Sequence, residues 1–149
     1  ERPFILENVS YYAAPGQEMA EIDFVNAVLT EADCQLLLDV NNIYVNSINH
    51  HYDPVAYMKA MPTERIAYMH IAGHFDEAED LKVDTHGSDV LDPVWDLLQK
   101  TYQHHGVIPT LLERDFNIPS LAVLDSEVNK IRHYQSLAAQ GQQTLARTA

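Results

Sequence analysis

Four short apolar runs recur along the sequence, and each is closed by a residue type that can bind a metal ion. The second run contains three consecutive leucines, Leu36 to Leu38, directly before Asp39. Three apolar residues in succession indicate a strand buried on both faces, as in a parallel sheet covered by helices. The third run passes through Tyr68 to His70 and Ile71. Because amphipathic stretches separate the runs, the sequence predicts a repeated strand-helix unit with right-handed crossovers.

Helices are predicted between the runs from apolar spacing and capping signals. Asp53 precedes Pro54 and Asp92 precedes Pro93, which is typical of an N-cap followed by proline in the first turn. Gly106 can serve as a C-cap. The predicted helices span residues 18–29, 53–62, 92–106 and 120–139, and the acidic stretch 75–83 is predicted to be a solvated loop.

The repeated units predict an α/β fold in which residues 1–140 form half of a TIM (β/α)8 barrel. An eight-unit barrel usually takes about 250 residues, so four units in this length correspond to half of one. Residues 141–149 are predicted to be a frayed tail. A small doubly wound sheet is the rival architecture. It would require a glycine-rich phosphate loop after the first strand, which Gly16 alone does not provide.

A half barrel has two open edges, and long apolar edges tend to associate. We therefore expect either a preceding segment that completes the barrel or a homodimer of half barrels. The first residue is Glu1 rather than Met, which favours a fragment of a longer chain.

The charge balance and the single cysteine restrict the partners and the compartment. The formal net charge is −13, from 22 acidic and 9 basic residues. Such a charge repels phosphate backbones and argues against nucleic acid as a partner. Cys34 alone excludes an internal disulfide framework and fits a reducing cytoplasm. No signal peptide and no apolar run long enough to cross a bilayer is recognised, so no membrane association is expected.

The carboxyl ends of strands converge on one face of a parallel barrel, and the residues predicted to lie there form a metal-ligand set. Carboxylate and neutral imidazole together suit zinc, iron or manganese. Several carboxylates in one mouth would repel one another, and divalent cations would relieve that repulsion. We therefore predict a centre of two or three metals, bridged by carboxylates. The predicted ligands are Glu7, Asp39, Asn42, His70, Asp84, His86 and Glu113.

The ligand candidates also have structural explanations, which the sequence leaves open. The alternatives are a loop cap for Glu7, an Asx turn with Asn41 for Asp39, a pair with Arg114 for Glu113, a core histidine for His70 and a turn residue for Asp84.

The other histidines are assigned different positions. For His74, just past Gly73, the sequence leaves open a metal ligand, a residue that supports the ligands and a residue that faces the substrate, and His74 is the candidate catalytic general base. His104, His105 and His133 lie on predicted helices away from the mouth and are expected at the surface.

Five motifs in order resemble the multinuclear non-haem iron-dependent oxidases, a bacterial family that includes the methanobactin biosynthesis oxidase. The motifs are Glu-Asn-Val-Ser-Tyr-Tyr at 7–12, Leu-Asp-Val-Asn-Asn-Ile-Tyr-Val-Asn-Ser at 38–47, His-Ile-Ala-Gly-His at 70–74, Asp-Thr-His-Gly at 84–87 and Leu-Glu-Arg-Asp at 112–115. The resemblance implies a xylose-isomerase-like barrel that holds two or three irons. It also implies oxygen-dependent modification of cysteine in a ribosomally made precursor peptide, often with the help of a partner protein.

This sequence departs from the family pattern in two ways. Asn42 stands where relatives in the wider superfamily have a histidine ligand, which argues against a zinc-type third site. The family also draws histidines from the first half of the barrel, so this chain corresponds to the C-terminal half. The chain alone is therefore expected to bind metal incompletely and to be inactive.

Two rival functions follow from the same residues. One is a zinc- or manganese-dependent hydrolase or isomerase of the xylose-isomerase-like superfamily. The other is a non-catalytic binding or assembly protein that retains a half barrel.

Overall fold

The computed structural model describes residues 2–148, with side chains to residue 143, and its central element is a parallel four-stranded sheet. The strands are β1 (Ile5–Glu7), β2 (Gln35–Asp39), β3 (Ile66–Ile71), β4 (Phe75–Ala78), β5 (Leu81–Val83) and β6 (Thr110–Leu112). The sheet order is β1-β2-β3-β6, and all three neighbouring pairs are parallel. Within this sheet the strands follow one another in chain order, with the β4-β5 hairpin inserted between β3 and β6, so the order is consistent with an arc of a TIM barrel. Barrel closure stays a prediction.

Helices connect the strands and cover one face of the sheet. They are α1 (Glu21–Glu31), α2 (Val40–His50), α3 (Pro54–Lys59), α4 (Asp92–His105) and α5 (Leu121–Thr148), with a 3-10 turn at Thr63–Arg65. Within the described residues, none of the helices combines the length and the apolar character that crossing a bilayer requires.

Side-chain alternation divides each strand between two faces, which decides where the candidate ligands point. Leu36 and Leu38 of β2, together with Met69 of β3, belong to the core under the helices. Asp39 and His70 are one residue out of phase with these core residues. Their side chains therefore point to the opposite face of the sheet, which in a closed barrel is the interior.

Several predicted boundaries are wrong, and local capping explains two of them. The residues directly after β2 form helix α2, which the sequence did not predict. This helix begins at Val40 because the Asp39 side chain caps it, accepting a hydrogen bond from the Asn42 amide at 2.6 Å. The N-cap of α4 is Leu91, so Asp92 lies in the first turn instead of capping. Asp53 does cap α3, as predicted.

Three further differences concern element length and type. The exposed stretch predicted to be a loop at 75–83 is a hairpin of β4 and β5. Helix α1 begins three residues later than predicted, at Glu21. Helix α5 continues past its predicted end at residue 139, through Gly141 to Thr148, whereas fraying of residues 141–149 stays a prediction and residue 149 lies outside the described residues.

Candidate metal centre

Four side chains from the ends of the four parallel strands come together on the face opposite the helices. Glu7, Asp39, His70 and Glu113 each offer one ligand atom, and these atoms all lie within 4.8 Å of one another. Strand pairing brings them together, because Asp39 is the direct partner of His70, and Glu113 follows β6. We call these four residues the strand-end cluster. The structure thus brings together four of the predicted residues, and their role as metal ligands stays a prediction.

Asp39 is the most deeply buried member of the strand-end cluster, with no exposed surface. Its Oδ1 accepts the hydrogen bond from the Asn42 amide, whereas its Oδ2 is buried without a hydrogen-bond partner. Burial raises the pKa of Asp39 to about 7. A buried carboxylate oxygen that lacks a donor is costly in an ionised state, so this atom is well placed to meet a cation.

His70 and Glu113 contact each other directly, with His70 Nδ1 2.9 Å from Glu113 Oε2. Glu7 adds a further carboxylate, and burial together with the charge of Glu113 raises its pKa, although His70 opposes that shift. The sequence alternative in which Glu113 pairs with Arg114 is wrong. Arg114 instead donates to Asp89 and Glu127.

A second group adjoins the first and shares one residue with it. His86, Glu113 and Asp115 form this loop cluster, in which one ligand atom from each lies within 4.8 Å of the others. His86 Nδ1 lies 3.3 Å from Glu113 Oε2 and 3.4 Å from Asp115 Oδ2. Glu113 belongs to both clusters, so its carboxylate would bridge two ions if each cluster held one.

His86 is held against Asp84 by an unusual contact. Its Nε2 is 2.6 Å from Asp84 Oδ1, yet this buried nitrogen makes no contact with hydrogen-bond geometry. Burial would lower the pKa of His86, but the Asp84 carboxylate overrides it and raises the pKa to about 9. In the metal-free protein the protonated His86 and the Asp84 carboxylate therefore form a close ion pair.

The backbone at His86 is also strained, with a φ of 50°. The following residue, Gly87, leaves room for the Phe116 ring, since a Cβ at position 87 would overlap that ring. Backbone strain of this kind clusters at functional sites, where the surrounding structure holds it in place.

Asp84 is oriented by side chains from two other segments. Ser10 Oγ donates to its Oδ2 at 2.8 Å, and Asn41 Nδ2 donates to its Oδ1 at 3.0 Å. Burial opposes ionisation of Asp84, but the close contact with His86 and the hydrogen bonds from Ser10 and Asn41 hold its pKa below the usual value. Asp84 therefore remains a carboxylate near neutral pH.

The family model described as "RiPP precursor modification enzyme MbnB/TglH/ChrH" matches residues 1–136. The chain belongs to this family. The resemblance drawn from the five sequence motifs is thus confirmed, and the clusters above lie within the matched part of the chain.

Curated members of the MbnB/TglH/ChrH family are similar over most of this chain and carry the name UPF0276 protein. The Shewanella loihica protein is 72% identical over 140 residues, which cover 94% of this chain and 50% of the relative. The Alcanivorax borkumensis protein is 66% identical over 92% of this chain and 48% of its own length. A Pseudomonas aeruginosa relative is 57% identical, with 95% and 50% covered. The chain spans about half the length of the curated relatives it matches.

Three predicted site residues of this family member lie outside both clusters of described residues: Asp84, which contacts His86 as described above, Asn42 and His74. Asn42 lies beside Asp39, and its Nδ2 donates to the Asn8 carbonyl while its Oδ1 is buried without a partner. His74 is buried behind Asp84, where its Nδ1 donates to Asn41 Oδ1 at 2.8 Å. Burial lowers the pKa of His74, although Asp76 opposes the shift. His74 is thus connected to Asp84 through Asn41.

Sequence reasoning missed four residues that shape the site. Asp115 could have been found, because it follows Glu113 by two residues and therefore returns to the same side of an extended chain. Asn8 exchanges two hydrogen bonds with the backbone of Asp39, at 2.8 and 2.9 Å. Ser10 and Asn41 bond to Asp84. No local pattern marks these three contacts, because each joins residues more than 30 positions apart.

The predicted position of one histidine outside the site is also wrong. His105 was expected at the surface but is buried, with Nδ1 2.6 Å from the Thr63 hydroxyl and Nε2 donating to the Met58 carbonyl. It joins α4 to α3 and to the 3-10 turn, which is a structural role.

Proposed function

We propose that this chain is the C-terminal half of a metal-dependent oxidase that modifies cysteine in a ribosomally made precursor peptide. The family membership supports a peptide-modifying enzyme. The metal-dependent part of the proposal rests on the strand-end cluster. In this cluster the buried Asp39 Oδ2 has no hydrogen-bond partner, and it is surrounded by other atoms that can bind a metal ion.

The donor set fits a multinuclear iron centre. The strand-end cluster would hold one ion and the loop cluster a second, with Glu113 between them. Asp84 and Asn42 offer oxygens for either ion or for a third. Mixed carboxylate and imidazole ligation suits iron, and also manganese or zinc. Bound ferrous ions would supply the means to activate oxygen and to bind a cysteine thiolate.

The contribution of this chain is positioning and charge. Asn8 fixes the backbone of Asp39, while Ser10 and Asn41 fix the carboxylate of Asp84. We assign His74 a positioning role, since it holds Asn41 against Asp84 and does not reach either cluster. Such supporting contacts orient metal ligands and tune their affinity.

The proposal includes completion of the barrel by another segment. The outer strands of the sheet are β1 and β6, and exposed apolar side chains lie at both: Phe4 is 67% exposed and Leu111 is 54% exposed. The relatives are about twice as long as this chain, which favours a preceding half in the same polypeptide over a homodimer of half barrels. Further histidine ligands are expected from that half. A reducing cytoplasm would suit a ferrous site.

The test is oxygen uptake by the full-length protein with candidate cysteine-containing precursor peptides of the same genome. Iron-loaded protein should consume oxygen only when a substrate peptide is present, and the peptide mass should change. Zinc- or manganese-loaded protein serves as the control and should consume none. Peptide-independent hydrolysis or isomerisation with zinc or manganese would support the rival enzyme. Absence of any bound metal would support a non-catalytic binding protein.

A further inference from the structure

A cavity of about 520 Å³ lies next to the candidate metal centre. Residues from the start of α1, the end of α2 and α3 form its walls. Only a short segment separates it from the metal centre: Tyr11 lines the cavity, whereas Ser10 and Tyr12 on either side of it bond to Asp84. Its volume is in the range of ligand pockets, which run from about 300 to 1,000 Å³.

Two stacked aromatic pairs line this cavity. The Tyr11 ring stacks on His50, with centroids 3.9 Å apart and planes 12° from parallel. His50 Nε2 also donates to the Tyr11 carbonyl at 2.8 Å, which fixes the pair. Tyr52 stacks on Tyr57 with centroids 5.0 Å apart. Such ring faces carry a negative quadrupole and attract cations.

The Glu21 carboxylate also lines the cavity, half-buried at the first turn of α1. Among the described residues it makes neither a hydrogen bond nor an ion pair. Burial raises the pKa of Glu21, and the nearby His50 only partly offsets the shift. Its charge adds to burial in raising the pKa values of Tyr11 and Tyr57, two tyrosines that line the same cavity. Asp53 adds a second carboxylate to the lining, which contains no lysine or arginine among the described residues, so the negative charge there is opposed only by His50.

We propose that this cavity binds a cationic side chain, an arginine or a lysine, of the peptide on which the protein acts. Aromatic faces and a carboxylate together recognise an organic cation, because a guanidinium can stack on a ring and donate to the carboxylate at once. Among the described residues, the carboxylates and the imidazole that line the cavity form no group of three ligand atoms within 4.8 Å of one another, which argues against a metal ion there. The net charge of −13 also attracts cationic peptides.

This inference rests on the proposed function in one respect, which is that the cationic side chain belongs to the substrate peptide. Binding in the cavity needs neither metal nor oxygen, so it can be measured on metal-free full-length protein. If the cavity fails to bind while iron content is normal, only this inference is wrong. If the cavity binds a cationic peptide but the protein holds no metal, the proposed function is wrong and the cation-binding role of the cavity still holds.

The probe is a capped tripeptide, acetyl-Gly-Arg-Gly-amide, and its matched control contains citrulline, which has the same shape without the charge. Ligand-observed NMR titrations give the two affinities. The arginine peptide should bind at least about tenfold more tightly than the citrulline peptide, because a charge-assisted hydrogen bond and a cation-π contact are lost together. Equal affinities would overturn the proposal.

Two variants assign the binding to the cavity. Glu21→Gln should abolish the preference for arginine, whereas Glu31→Gln, which removes an exposed charge at the other end of α1, should retain it. Equal weakening by both would mean that the overall charge attracts the peptide, and the proposal would be rejected. Ala56→Phe fills the cavity while keeping the carboxylate and should also weaken binding of the arginine peptide. Unchanged binding in that variant would place the peptide elsewhere.

Discussion

Asp39 and His70 are direct partners on adjacent parallel strands, and both side chains leave the sheet on the face opposite the helices. This register brings a fully buried carboxylate into the same group of potential ligands as an imidazole. The candidate metal centre is therefore built into the strand pairing itself. Loops contribute His86 and Asp115, which complete the second cluster.

The first prediction concerns the pH dependence of stability in metal-free full-length protein. Burial raises the pKa of Asp39 from 3.8 to about 7 in the folded state. The folded state then holds a proton that the unfolded state releases, so stability falls as pH rises from about 4 to about 7 and stays low above that. The cost approaches about 4 kcal/mol. In urea unfolding at a series of pH values, Asp39→Asn should flatten this decline. An unchanged decline in Asp39→Asn would show that other groups cause it.

The second prediction concerns the titration of His86 in metal-free protein. The Asp84 carboxylate holds the pKa of His86 at about 9. Asp84→Asn should return it toward the ordinary value of about 6.5, or below it because the ring is buried. NMR of the histidine ring protons measures this. Asp76→Asn, which removes a carboxylate near His74 instead, is the control and should leave His86 unchanged. A His86 pKa that persists near 9 in Asp84→Asn would contradict the assignment.

The third prediction concerns Asn41, which connects His74 to Asp84. Asn41→Ala leaves the buried His74 Nδ1 without a partner and removes one of the hydrogen bonds to Asp84, so unfolding free energy should fall by about 1–3 kcal/mol. Metal affinity should fall by about 10- to 100-fold, as is usual when a group supporting a ligand is lost. Asn49→Ala is the control, because Asn49 lies on the same helix but bonds to Lys82 of the hairpin. Equal metal affinities in the two variants would reject the positioning role.

The fourth prediction compares two glycines. A Cβ at Gly73 would overlap the backbone carbonyl oxygens of Ser88 and Asp89, which cannot move aside as a side chain could. Gly73→Ala should therefore cost at least about 1–3 kcal/mol of unfolding free energy. Gly141→Ala meets nothing within 4 Å and lies in α5, so it should stabilise by about 0.5–1 kcal/mol. Thermal unfolding tests both, and similar midpoints for both variants would contradict the close approach at Gly73.

The sequence predicted the parallel sheet and the strand-end cluster because both follow from repeating local patterns. Leu36 to Leu38 indicate a buried strand, and the residue that closes each run lies at the same end of the sheet. The sequence did not predict that α2 would begin at Val40, because a single side-chain cap from Asp39 decides it. It also did not predict the supporting contacts of Asn8 and Ser10, which depend on tertiary neighbours far apart in the chain.

The most direct test of the central claim is the iron content of anaerobically purified full-length protein, measured by mass spectrometry of the metals. The claim is that the carboxylates and imidazoles of the two clusters converge to hold metal ions. At least two irons per chain are predicted in the wild type. Asp39→Ala and His86→Ala should each lose about one iron, and Glu113→Ala should lose more because both clusters share it. Less than one metal ion per chain in the wild type, with the same content in all three variants, would contradict the account.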